Sequence, residues 1–188
     1  VDYSIFFGTL LGMIRDKSLI ENDDDIDLLL DINDKKKILE IFDNSKLLID
    51  INLPINKEKY FLQGIFKSSN QNCLVDFYFY EDLNKKNIIL KSYLGNIQNI
   101  RRYWMYIEKE LIFPFTKSSV DRINYYEPKN SPETIKFLYG KKWNQKIAKD
   151  KYVVFFLRNK PTYITNNILR LIIQNVYKII KLILKIDD

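Results

Sequence analysis

An acidic run leads directly into an apolar stretch near the start of this chain. Four aspartates occupy the five positions from Asp23 to Asp27, and leucines 28–30 follow at once. In a β-strand, side chains alternate between the two faces, so Asp23, Asp25 and Asp27 would share one face. Carboxylates this close raise one another's pKa, and a bound cation would relieve the repulsion. The pattern therefore predicts a site for a hard divalent cation, Mg²⁺ or Mn²⁺, and its alternative is a solvated acidic turn.

A glycine and a threonine precede this run. The short apolar segment 5–7 ends at Gly8-Thr9, and residues 9–16 are predicted to form a helix. A strand that ends here and opens a helix would present backbone N–H groups and a hydroxyl at the positive helix terminus, which suits a phosphate. Gly8 and Thr9 are therefore candidate phosphate-binding residues, although Gly-Thr alone is weak evidence.

The two features together resemble the nucleotidyltransferase superfamily, to which DNA polymerase β belongs. In that superfamily a glycine and a hydroxyl residue are followed by Asp-hydrophobic-Asp, and a later strand supplies a third carboxylate. Asp76, at the centre of the β-prone run 73–79, matches this third position. The alternative for Asp76 is the solvent face of an edge strand. The resemblance implies a nucleotidyltransferase fold of the α/β (α+β) class, a mixed β-sheet flanked by helices.

A narrower resemblance rests on several motifs in order. Residues 8–27 resemble the signature of the bacterial LicD phosphocholine transferases and the related fukutin proteins, which has a Gly-Thr-Leu-Leu-Gly run, an Arg and an Asp-x-Asp-hydrophobic-Asp box. Later landmarks of the family follow at Phe113-Pro114, Pro128 and Tyr139-Gly140. Asn22 departs from the signature, which usually has Trp at that position.

This resemblance implies an enzyme, a LicD-like phosphotransferase. It would move a phospho-alcohol from a CDP-activated donor, with CDP-choline favoured, to a hydroxyl of a bacterial cell-surface glycan such as lipopolysaccharide, capsule or teichoic acid. CMP would be released. Two rival functions stay open. An ordinary nucleotidyltransferase would move a nucleoside monophosphate from an NTP and release pyrophosphate, and a non-catalytic protein would only bind glycans.

The resemblance also implies roles for individual residues. The catalytic residues would be Asp25, Asp27 and Asp76. The metal ligands would be Asp23, Asp25, Asp27 and Asp76. The donor would be bound by Gly8, Thr9 and Arg15. Asp76 would serve either as the remaining ligand or as the base for the acceptor. The alternative for Arg15 is a salt bridge to the acidic run.

Composition limits the chemistry and the compartment. The 188 residues include no histidine, which excludes a His-based triad and a His-ligated zinc site within this sequence. The single cysteine, Cys73, provides no disulfide framework and favours a reducing, cytoplasmic compartment. With 46% hydrophobic residues, the chain can bury one sizeable core. Since the sequence begins with Val1, we expect an upstream segment to be missing from it.

The apolar patterns predict alternating elements over residues 1–150, taken as the catalytic domain. The predicted strands are 3–7, 25–31, 47–53, 60–66 and 74–80. The predicted helices are 9–16, 34–42 and the segment from 131 to 140. Asn33 or Asp34 would cap the second helix. Ser131 would cap the third, and Gly140 would end it.

Residues 151–188 are predicted to be a basic, amphipathic helical tail. They hold seven Lys and Arg against two Asp, whereas residues 1–150 are close to neutral. From Ile168 to Ile186, polar residues recur every three or four positions and leave a wide Ile and Leu face. These polar positions argue against a membrane-spanning helix. The helix would either pack on the catalytic domain or lie peripherally on an anionic membrane at its cytoplasmic face. The near-neutral domain offers no broad basic surface for nucleic acid.

We predict that the protein binds anionic vesicles in a salt-sensitive way. Each basic residue near such a surface contributes about 1 kcal/mol, so the attachment would be reversible. Sedimentation with anionic and with neutral vesicles, at low and high salt, measures this binding. Absence of binding to either vesicle, with Leu171, Ile172 and Ile179 found buried against the sheet, would contradict the membrane interpretation.

Overall fold

The computed structural model describes most of the chain. The described residues are 1–23, 25–44, 49–51, 60–67, 72–92, 103–146, 153–157 and 160–164. The helix predicted from Ile168 to Ile186 lies outside them.

A mixed sheet of seven described strands forms the centre of the fold. Its strands are β1 (Tyr3–Ile5), β2 (Asp25–Asp31), β3 (Ile49–Ile51), β4 (Phe61–Lys67), β5 (Asn72–Asp82), β6 (Asn87–Ser92) and β7 (Tyr103–Glu108). Their order is β1-β2-β5-β4-β3, and β6 joins β5 to β7. The strands β2 and β5 run parallel, and the other described pairs in this sheet are antiparallel.

Helices cover both faces of this sheet. The described helices are α1 (Phe7–Arg15), α2 (Lys35–Asn44), α3 (Lys109–Ile112) and α4 (Ser131–Tyr139). Leu10 of α1 and Leu138 of α4 pack in one core cluster with Leu29 of the sheet. Ile38 of α2 packs in a second cluster with Leu30. Because adjacent residues of β2 point to opposite faces, they enter different cores. The predicted mixed sheet with flanking helices is confirmed.

Two hairpins complete the described fold. One pairs β8 (Thr116–Val120) with β9 (Ile123–Glu127), and β9 lies beside β1. The other pairs β10 (Val153–Leu157) with β11 (Lys160–Ile164), and β11 lies beside α4. The sequence did not predict this second hairpin, which falls within the segment interpreted as a helical tail.

The predicted bounds are confirmed for one strand and too short for another. The strand predicted at 25–31 has those bounds, whereas the strand predicted at 74–80 extends from 72 to 82. The first helix begins earlier than predicted, at Phe7, because the Leu10 N–H donates to the Phe6 carbonyl.

Two predicted helix caps are wrong. Ser131 is already helical, and its hydroxyl donates to the Pro128 carbonyl at 2.8 Å instead of capping the helix. A 3₁₀ turn, Ile32–Asp34, precedes α2, and the Asp31 carboxylate accepts the Asn33 N–H at its start. Gly140 ends α4 as predicted, with a φ of 78° that favours glycine.

The helices of the described residues include none that is both long and apolar enough to cross a membrane.

We predict that Gly12→Ala destabilises the protein. In an ordinary helix this change stabilises by about 0.5–1 kcal/mol. Here a β-carbon on Gly12 would lie 2.6 Å from the Ser18 carbonyl oxygen and 2.9 Å from the Ile20 nitrogen, both backbone atoms. Overpacking of this kind costs about 1–3 kcal/mol, measurable by urea unfolding. As a control, the exposed Lys36→Ala should change the free energy of unfolding by less than about 0.5 kcal/mol. If Gly12→Ala were more stable than the wild type, the close packing at Gly12 would be contradicted.

Candidate metal centre

Two neighbouring parallel strands bring three aspartates together. Asp25 and Asp27 are two positions apart on β2 and so share a face of the sheet. Asp27 is paired in register with Asp76 of β5. Carboxylate oxygens of all three residues lie within 4.8 Å of one another. Asp76 is far from the acidic run in the sequence, but strand pairing places it next to Asp27.

Burial makes this cluster electrostatically costly. Asp27 and Asp76 are only 5% and 6% exposed, and Asp25 is half-buried. Burial, together with the charges of Asp25 and Asp76, raises the pKa of Asp27 to about 8. A carboxyl group that would be ionised in water therefore keeps a proton near neutral pH, unless a cation replaces it.

The start of α1 is attached to Asp27. The backbone N–H of Gly8 donates to Asp27 Oδ2 at 2.8 Å, and that of Thr9 donates to the same oxygen at 3.4 Å. The Thr9 hydroxyl oxygen accepts the Asp27 N–H at 2.9 Å. The first N–H groups of a helix have no partner within it, and Asp27 supplies one from the sheet. Gly8 and Thr9 thus contact the carboxylate centre, and their predicted contact with phosphate stays a prediction.

The close approach at this point requires glycine. A β-carbon on Gly8 would lie 2.8 Å from Asp23 Oδ2 and 3.3 Å from Asp27 Oδ2. Asp23 therefore lies beside Gly8, at the edge of the centre and outside the group of three converging carboxylates. Its predicted role as a ligand stays a prediction.

Two neutral donors hold Asp76. Gln63 of β4 is paired in register with Asp76, and its Nε2 donates to Asp76 Oδ1 at 2.8 Å. The Tyr78 hydroxyl donates to Asp76 Oδ2 at 3.5 Å, and burial raises the pKa of this phenol well above its usual value, so it stays protonated. Neither residue is among those predicted from the sequence. A signal was present for Gln63, because it is a polar residue inside the apolar run 61–66.

Arg15 is placed away from the three carboxylates. It lies in the last turn of α1, seven residues from Gly8, about 10 Å along the helix axis. Its guanidinium forms two hydrogen bonds to Asp16, at 3.0 and 2.7 Å. This pair lowers the pKa of Asp16. Arg15 therefore pairs with Asp16 and not with the acidic run, and its predicted contact with phosphate stays a prediction.

The donor set fits a divalent cation. Three carboxylates that converge on one point supply hard oxygen ligands of the kind that Mg²⁺ and Mn²⁺ prefer. Both hydrogen bonds that the Asp27 carboxylate accepts end on Oδ2, so among the described residues its Oδ1 accepts none. The residues that could hold the cation are therefore Asp25, Asp27 and Asp76.

A separate cleft of about 830 Å³ lies near the C-terminal end of β5. It is lined by aromatic residues, including Tyr80, Phe113 and Phe115, and none of the three carboxylates contributes to it. The peptide bond between Phe113 and Pro114 in its wall is cis.

We predict that the metal-free protein loses stability as the pH rises from 4 to 8. Between the ordinary pKa of 3.8 and the folded value of about 8, only the folded chain holds the Asp27 proton. The unfolded state is therefore favoured progressively over this window. Asp27→Asn should remove this slope and be more stable than the wild type at pH 7.5 by at least about 1.4 kcal/mol, the equivalent of one pKa unit.

Urea unfolding in a chelator, at several pH values, measures this difference. The exposed Asp43→Asn serves as the control and should keep the wild-type slope. A slope that is the same in the wild type and in Asp27→Asn would contradict the raised pKa.

Comparison with known proteins agrees with this geometry. The model of a family described as LicD/FKTN/FKRP, nucleotidyltransferase domain, matches residues 1–130. A search of curated proteins found no match. The matched segment includes α1, β2 and β5, and with them all three converging carboxylates. Because the match covers more than half of the chain, the protein belongs to the LicD family and is a transferase.

Proposed function

We propose that the protein is a metal-dependent transferase that moves a phospho-alcohol from a CDP-activated donor to a hydroxyl of a cell-surface glycan. Membership of the LicD family implies a nucleotide-activated donor and a sugar or glycan acceptor. The convergence of Asp25, Asp27 and Asp76 is the observation that carries the proposal. CDP-choline is the favoured donor, and lipopolysaccharide, capsule or teichoic acid in a bacterium is the proposed acceptor.

The cation would connect the acidic centre to the anionic donor. A donor pyrophosphate and three carboxylates repel one another, so direct binding between them is unfavourable. A bound Mg²⁺ or Mn²⁺ would neutralise this charge and polarise the phosphoryl oxygens. Asp25, Asp27 and Asp76 would hold it, and Asp23 is proposed to contribute at the edge.

The chain's own residues would orient the donor. Asp27 is fixed by two N–H groups of α1, so its carboxylate cannot rotate freely. Gly8 and Thr9 lie beside it at the positive end of the helix, which favours a neighbouring phosphate. We propose that this end of α1 faces the donor. Arg15 is a proposed phosphate contact through the N–H donors that its ion pair with Asp16 leaves over.

The transfer itself would be an in-line displacement. The acceptor oxygen forms a bond to the phosphorus that carries the alcohol. The bond from that phosphorus to the bridging oxygen breaks, and CMP leaves with the electron pair. The acceptor proton passes to Asp76, if that residue is the base, or to solvent, if it is a metal ligand. We propose that the transfer occurs in the cytoplasm. If the C-terminal segment binds the membrane as predicted, the enzyme would act at the inner face of that membrane.

A second function is favoured by the description of the matching family, which names a nucleotidyltransferase domain. The same carboxylates would then move a nucleoside monophosphate from an NTP to a sugar, small molecule or protein. Pyrophosphate would be the released product instead of CMP.

We predict release of CMP from CDP-choline, CDP-ribitol or CDP-glycerol in the presence of Mg²⁺ and a glycan acceptor. Chromatography of the nucleotides separates CMP from the CDP-alcohol, and a coupled assay detects pyrophosphate in parallel reactions with NTPs. Pyrophosphate without CMP would establish the second function. A wild-type rate that persists in a chelator would overturn the metal dependence of both.

Asp25→Asn should lower the rate at least about a hundredfold, because removing even a hydrogen-bonded partner of a metal ligand costs about 10- to 100-fold in activity, and Asp25 is proposed to bind the metal itself. The fold should remain intact, since the change relieves repulsion. Asp43→Asn, an exposed aspartate on α2, makes the same chemical change away from the centre and should keep the wild-type rate. If Asp25→Asn and Asp43→Asn had equal rates, the proposed role of Asp25 in metal binding would be wrong.

A further inference from the structure

Gln63 occupies an unusual position for a polar side chain. It lies in the middle of β4, in the run Phe61 to Phe66, whose other members are apolar or glycine. The pairing of β4 with β5 and of β5 with β2 places Gln63, Asp76 and Asp27 in one row across the sheet. Side chains in such a row share a face, so Gln63 points to the same side as the carboxylates.

The contact between Gln63 and Asp76 is short and specific. Gln63 Nε2 lies 2.8 Å from Asp76 Oδ1, and Asp76 is 6% exposed. A buried carboxylate near two others would gain by turning away from them. A hydrogen bond to one of its oxygens opposes that rotation and keeps the group facing the centre.

The chemical type of this donor also matters. A Lys or Arg at this position would bring a positive charge next to Asp76 and would compete with a bound cation. A carboxylate would add a fourth negative charge to the cluster. The amide of Gln63 donates a hydrogen bond without changing the net charge of the centre, as does the Tyr78 hydroxyl on the other oxygen.

We propose that Gln63 is a positioning residue of the metal centre, which holds Asp76 in the orientation that lets it bind the cation together with Asp25 and Asp27. This inference rests on the proposed metal dependence of the transferase and is independent of which alcohol or nucleotide is transferred. Hydrogen-bonded partners of metal ligands typically change metal affinity about 10- to 100-fold when they are removed.

The test is a titration of the purified chain with Mn²⁺ alone. The concentration of free Mn²⁺ is measured by electron paramagnetic resonance at each point. Gln63→Met keeps the length of the side chain and removes the donor, and it should weaken Mn²⁺ binding about 10- to 100-fold. The exposed Gln145→Met makes the same chemical change elsewhere and should leave the affinity unchanged. Gln63→Leu serves as a second variant, should Gln63→Met fail to fold in a urea unfolding control.

A double-mutant cycle separates positioning from a general structural effect. If Gln63 acts through Asp76, then Gln63→Met should change Mn²⁺ affinity less than about twofold when Asp76→Asn is already present. Full additivity of the two changes would overturn the proposal, as would an unchanged affinity in Gln63→Met.

The titration contains no nucleotide, so a wrong donor assignment leaves its result intact. A wild-type chain that binds no Mn²⁺ would overturn the metal centre and the role of Gln63 together. Normal Mn²⁺ binding without release of CMP or pyrophosphate would instead overturn only the proposed function.

Discussion

The attachment of the first turn of α1 to Asp27 is the interaction on which the centre depends. It joins the helix to the middle of the sheet through N–H groups that the helix itself cannot satisfy. An anionic group at a helix start gains about 0.3–1 kcal/mol, and up to about 2 kcal/mol when partly buried. That gain is smaller than the penalty that raises the pKa of Asp27 to about 8. The helix therefore orients this carboxylate without fully compensating its charge.

A proton or a cation is needed to complete the compensation. The two compete for the same oxygens, so binding of a divalent ion to Asp25, Asp27 and Asp76 would release a proton near neutral pH. The half-buried Asp25 is accessible to solvent, whereas Asp27 and Asp76 are buried. One of the three carboxylates that could bind an ion is therefore accessible to solvent.

The sheet provides the order that the centre needs. The row from Gln63 through Asp76 to Asp27 crosses three strands, and its register is fixed because the opposite face is packed against α2. A slip by one residue would turn Asp76 into the apolar core and Phe77 into the centre. The apolar core on one face of the sheet thus determines the geometry of the polar cluster on the other.

The sequence alone determined the features that depend on neighbouring residues. Alternation along β2 predicted that Asp25 and Asp27 share a face, and the apolar run fixed that strand's bounds. The motifs predicted the family, which the match over residues 1–130 confirms. The place of Asp76 was predicted only from the resemblance to the nucleotidyltransferase superfamily, because nothing in the residues near Asp76 specifies that β5 lies parallel to β2.

Only the tertiary structure decided which distant groups meet. In the folded chain the backbone N–H groups of Gly8 and Thr9 donate to Asp27. Arg15 pairs with Asp16, and Gln63 donates to Asp76. The tertiary structure also includes the hairpin of β10 and β11, for which the sequence predicted no strands. Strand order and register follow from how the two faces of the sheet pack as a whole, and local periodicity carries no information about that packing.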